Sequence, residues 1–213
     1  MNGLRTLATA TWPHPQGPAE PPPLPGFSAS TFSPVVAAVA DLCLTRYRDT
    51  GPTGTGPGTD GHDDRGERAE AGSTTPPARP DRQDGAGRAY PSPSPATDRT
   101  GLVLASAGGD RATALAIDTA AASERRMPPL LFFQSNPNAV LGHIAARWGL
   151  TGPVVAISPR EAAAPGLIPA DALELAALLL ADGDADQVLV IAAEQAERAG
   201  GTDHGTAVLV TSA

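Results

Sequence analysis

Fifty consecutive residues, Asp49 to Asp98, contain no Val, Ile, Leu, Met, Phe or Trp. Such a stretch cannot bury enough apolar surface to offset the entropy of ordering it. It is made largely of Gly, Pro, Thr, Ser, Asp and Arg, with five arginines against nine acidic residues. Residues 49–98 are therefore predicted to be a disordered, Gly/Pro-rich insert acting as a linker. Any core must come from residues 1–48 and 99–213 together. The whole chain has 213 residues, enough for one domain of ordinary size.

Residues 1–48 supply two elements. Leu4 to Trp12 has strand character, and a proline-rich connector follows. Ser33-Pro34 then opens a helix, VVAAVADLCLTRY, by the cap-and-proline rule. Beyond residue 98, GLVLAS reads as a strand, followed by a Gly-rich turn and a helix, AGGDRATALAIDTAAA. A strand, a glycine turn and a helix in that order invite a phosphate-loop reading. The full GxGxxG and GxxxxGK[ST] patterns are absent, so Gly108 and Gly109 are expected only to allow a tight turn.

Residues 129–194 carry the densest pattern. Asn136 can cap a helix, Pro137 suits its first turn, and Gly149 can close it. Val140, Leu141, Ile144, Ala145 and Trp148 fall on one helical face. Gly142 and its alanine neighbours are expected to let that face approach another backbone. A β-branched run, Val154 to Ile157, follows the Gly152-Pro153 turn. A leucine-rich helix begins near Pro169 and stops at Gly183, and Gln187 to Ala193 reads as a fully buried strand. Gly205 to Ser212 is a last strand, joined to the previous one by a loop without a helix and so expected to be antiparallel to it.

Four of these pieces, SNPNAVLGHIA, GLTGP, the helix ending in ADGDAD, and VLVIAAE, together resemble the N-terminal half of β-ketoacyl synthases. The resemblance implies an α/β chain forming a single thiolase-like half. Its five-stranded sheet would be mostly parallel with an antiparallel last strand and helices on both faces. Residues 1–48 would be the first strand and helix of that half, and 99–213 the remainder. It further implies that two such halves pack through helices in the complete fold. The strand after the Gly-Pro turn would be an outer strand that pairs across a two-fold axis and delivers a nucleophilic cysteine to the next helix. Catalytic histidines belong to a C-terminal half, which this sequence is expected to lack.

The chemistry of a condensing enzyme needs a thiolate and assisting histidines. Eight positions past Pro153 lies Glu161, and counting back from Gly183 gives a residue near Gly166. The counts disagree, which marks an insertion containing Pro165 and Pro169. Neither position is cysteine, so no catalytic residue is assigned with conviction; Glu161 lies nearest the position of the family's nucleophile. A glutamate near a helix N-terminus is favoured as an anion, although a degenerate, solvated carboxylate is the plainer expectation. Ser158 lacks a G-x-S-x-G elbow. Cys43 sits mid-helix among core residues and is expected to be a buried structural thiol. His143 is expected on the polar face of its helix, and His14, His62 and His204 in loops; none stands at metal-ligand spacing.

Composition narrows the rest. Aromatics are only 4% of residues, so the core must be built from Ala, Val and Leu. The net charge of −8 argues against nucleic acid as a partner. No apolar run is long enough to span a membrane, no signal peptide is evident, and a lone cysteine fits a cytoplasmic protein. No cofactor and no metal are expected. The expected function is a non-condensing, ketosynthase-like accessory protein of fatty-acid or polyketide biosynthesis. Its partner would be a ketosynthase-like subunit, an acyl carrier protein or a second copy of itself. The alternative is an acyltransferase, or a thioester hydrolase or decarboxylase, using the Glu161 region. Val154–Ser158 offers an unprotected apolar edge for association, and Val155→Pro is expected to weaken it by removing a ladder donor.

Overall fold

Two fully buried strands lie side by side in the interior of the sheet in the computed structural model. It describes residues 3–18, 20–50, 99–123, 129–196 and 201–213; most of the 49–98 insert, and His62 within it, lies outside the described residues. The elements run β1 (Leu4–Trp12), α1 (Phe32–Thr50), β2 (Thr100–Ala105), α2 (Arg111–Ala122), α3 (Pro129–Gln134), α4 (Pro137–Trp148), β3 (Val154–Ile157), α5 (Ala170–Ala181), β4 (Gln187–Glu194) and β5 (His204–Ser212). The sheet order is β1-β5-β4-β2-β3. Every residue of β2 and β4 is buried, as expected for strands covered on both faces.

β3, β2 and β4 are parallel, whereas β5 is antiparallel to both β4 and β1. Four strands thus point one way and the last strand runs against them. The sequence places β5 beside β4 but not between β4 and β1; that interior position makes two of the four pairings antiparallel. The thiolase-like half is otherwise as expected, with helices on both faces. Leu102, Leu104, Leu189 and Ile191 face a large core with α1 and α4. Val103, Ala105, Val188 and Val190 face a smaller one with α5. The period of two in each strand produces this division.

Coverage of the two faces is unequal. Val35, Val36 and Val39 of α1 are fully buried, whereas α5 buries only Ala172 and Ala176, and its Leu178 is 59% exposed. Trp148 joins α4 to α1 by donating its indole N–H to Asp41 Oδ1 at 2.7 Å, and Arg147 lies 3.1 Å from Asp41 Oδ2. Burial pushes the Asp41 carboxyl upward, against the pull of Trp148 and Arg147.

Two glycines show how a turn differs from a helix surface. A Cβ on Gly152 would stand 2.5 Å from Gly101 N and from the Thr100 carbonyl carbon, so the GLTGP turn presses backbone on backbone. Gly152 N also donates to Thr100 O at 3.0 Å. Gly142, expected to serve such an approach, is instead exposed with open space where its Cβ would be. The α4 caps are as expected: Asn136 accepts from Asn138 N, and Gly149 is left-handed with φ 67°.

Candidate functional site

The carboxyl ends of parallel strands are where such sheets bind ligands, because the connecting loops diverge there. A cleft of about 720 Å³ opens at that end of β2, β3 and β4. Its walls include Gly108 and Arg111 after β2, Arg160 and Ala162 after β3, Glu194 and Gln195 at the end of β4, and His204 at the start of β5.

The floor is a carboxylate turned inward. Glu194 is only 5% exposed. Its Oε1 accepts from Ala107 N at 2.7 Å, and its Oε2 from Gly108 N at 3.1 Å and the Ser106 hydroxyl at 3.3 Å. The glycine turn after β2 therefore spends its amides on an internal carboxylate. This answers the phosphate-loop reading: those amides already hold an anion belonging to the protein. Gln195 does the same for α2, its Oε1 accepting from Arg111 N and Ala112 N. Asp110 caps that helix through Thr113 N and the Thr113 hydroxyl. Glu194 is visible in sequence only as the end of VLVIAAE; its role follows from tertiary pairing, which periodicity does not carry.

The loop between β3 and α5 is where the sequence resemblance would put a nucleophile. Ser158 and Glu161 are both exposed. Glu161 lies well before α5, which starts at Ala170, so it is not placed at that helix's N-terminus. Its neighbours Arg160 and Ala162 line the cleft. The loop is tied back at two points. His204 Nε2 donates to Ala163 O at 2.8 Å, and Gly166 N donates to the Thr206 hydroxyl at 3.0 Å. His204 is thus not a loop residue; it opens β5 and holds this segment. His143 is not on a polar face either. It is half-buried, edge-on to Phe27 with ring centroids 6.1 Å apart, and burial lowers its pKa.

Cys43 is fully buried in α1, and burial pushes its thiol up to about 11. A thiol so placed is neutral near pH 7 and unreachable by a substrate. Among the described residues, no cluster of three or more His, Cys, Asp or Glu is arranged to hold a metal ion. No described helix is long and apolar enough to cross a membrane.

A doubly covered five-stranded sheet with this topology and a cleft at its strand ends defines one half of a thiolase-like fold. Residues 87–212 match the profile of the Beta-ketoacyl synthase, N-terminal domain. The match covers more than half of the chain, and the chain belongs to that family. Its fold is similar to that of a chain in the complex of the ketosynthase ApeO with its chain length factor ApeC from Xenorhabdus doucetiae. There the identity is 13% and the TM-score 0.54, covering all of this chain and 80% of that one. It is likewise similar to a β-ketoacyl synthase from Burkholderia phymatum, at 13% identity and TM-score 0.55, covering all of this chain and 60% of that one. No curated protein matches the sequence significantly.

Proposed function

We propose that this chain is a non-condensing, ketosynthase-like subunit of fatty-acid or polyketide biosynthesis that pairs with a ketosynthase-type partner. One observation carries the proposal. The loop after β3 holds no cysteine, and the chain's single thiol is sealed inside α1. A synthase-family chain without an accessible thiolate there has no means of holding an acyl group as a thioester on that loop. Glu161 is no substitute for a thiolate in this reading: it is exposed in the loop, well before the N-terminus of α5.

The pairing surface is the edge of the sheet at β3. Val154 is 37% exposed at the edge position, and the strand carries no charge. An uncharged edge strand is a template for further pairing. The ApeO–ApeC complex, a ketosynthase with its chain length factor, gives the kind of assembly this reading has in mind.

The register refines the test. Leu102 N donates to Pro153 O and Ser106 N to Ile157 O. In a parallel ladder this turns Val155 inward to β2, and the N–H groups of Val154 and Ala156 outward. Val155→Pro would therefore damage the β2–β3 ladder itself. Ala156→Pro removes an outward donor and is the proper probe. Light scattering with and without a ketosynthase-type partner should show a complex that Ala156→Pro weakens and Glu161→Ala leaves intact. A wild-type chain that stays monomeric with every such partner, and alone, would end the proposal.

A further inference from the structure

The cleft at the strand ends is unusual in what it leaves unused. Its carboxylate, Glu194, is covered, and both oxygens already accept protein hydrogen bonds. The Gln195 side chain is likewise committed, to the α2 amides and, through Nε2, to the Thr31 hydroxyl at 2.6 Å. These two side-chain acceptors are thus taken by the protein, whereas among the described residues the guanidinium groups that line the cleft make one hydrogen bond, from Arg111 to Gln195 O.

Arg111 is fixed in place. Its Nη2 donates to Gln195 O at 2.5 Å, and its guanidinium lies over Gly108, where a Cβ would meet Cζ at 3.7 Å. That hydrogen bond restrains an otherwise exposed side chain before any ligand arrives, which lowers the entropy to be lost on binding. Arg160 faces the same cleft from the β3 loop, which His204 and Thr206 tie down. Among the described residues the ion pairs are Arg99–Asp186 and Arg147–Asp41; Arg111 and Arg160 take part in neither. Two arginines lining one cleft with no ion-pair partner among the described residues stand out in a chain of net charge −8.

We infer that this cleft is an oxyanion site, in which Arg111 and Arg160 hold the phosphate or carboxylate group of a small acidic molecule. Guanidinium forks match the oxygens of either group, and charge-assisted hydrogen bonds are the strong kind. The volume of about 720 Å³ admits a molecule larger than the bare anion. The inference is independent of the subunit proposal, since it needs no partner and no acyl chemistry.

The test is calorimetric titration of the full chain with inorganic phosphate and, separately, with malonate, against sodium chloride at matched ionic strength. Saturable binding of at least one probe is expected, and whichever binds more tightly names the oxyanion. Arg160→Ala, an exposed position that leaves the fold intact, should weaken binding about tenfold or more. Arg99→Ala removes the same charge at the opposite end of β2 and should leave binding unchanged. Absence of saturable binding by both probes would overturn the site. So would an Arg160→Ala protein that binds like wild type, or an Arg99→Ala protein that is weakened equally, which would mean diffuse charge attraction.

Discussion

β2 and β3 are neighbouring parallel strands, and the loops that leave them side by side are held in different ways. After β2, the amides of Ala107, Gly108, Gly109, Arg111, Ala112 and Thr113 all donate to side chains, those of Ser106, Asp110, Glu194 and Gln195. After β3, the longer loop is mostly exposed, and two ties to β5 hold it. The first loop is part of the scaffold. The second is a segment whose backbone meets few demands, and such segments accept insertions and loss of chemistry without loss of the fold. This is how a family-typical sheet can coexist with a loop that carries no cysteine.

The sharpest break of the scaffold side is Gly152→Ala. Its Cβ would press on the backbone of Thr100 and Gly101, which cannot move aside as a flexible side chain would. The expected loss is about 3 kcal/mol or more in denaturant unfolding. Gly142→Ala is its control: in open space on a helix it should stabilise by about 0.5–1 kcal/mol. Equal effects at the two glycines would show that the turn is not the close contact described.

Glu194→Ala comes next. It strands two amides and a hydroxyl beneath the cleft, at a cost of about 2–4 kcal/mol in urea or guanidinium unfolding. Cys43 gives a pH signature of the scaffold. Its folded pKa of about 11 lies above the ordinary thiol value of 9.0, so the native state holds its proton longer than the unfolded chain. The stability it protects is intact below pH 9 and lost as pH climbs toward 11, by about 2–3 kcal/mol. Cys43→Ala should flatten that decline in unfolding curves taken across the window. His204→Ala should do least to global stability, about 1 kcal/mol, while exposing the β3 loop to limited proteolysis between residues 160 and 168.

Much of the scaffold is legible in the residues themselves. Asn136, Pro137 and Gly149 mark α4 at both ends, and the aliphatic runs of β2 and β4 announce buried strands. Such signals are local: caps, turns and periodicity act within one element. What local pattern does not carry is who pairs with whom. The place of β5 between β4 and β1 depends on long-range pairing, as does the lodging of Glu194 under the glycine turn. Gly142 and Gly152 look alike in sequence and differ only in what lies opposite. The cleft is invisible to local pattern for the same reason, since Arg111 and Arg160 are far apart in the chain. Glu161 stands out only by its count of positions from Pro153, and in an inserted loop such a count loses its geometric meaning.

The central claim is that the loop after β3 holds no group able to carry an acyl chain. Incubation of the purified protein with acyl-carrier and coenzyme A thioesters, followed by peptide mass spectrometry, tests it directly. The account predicts no acyl adduct anywhere on residues 158–169 and none on Cys43 in the native state. A stoichiometric adduct on that loop, or thioester turnover that Glu161→Ala abolishes, would contradict it.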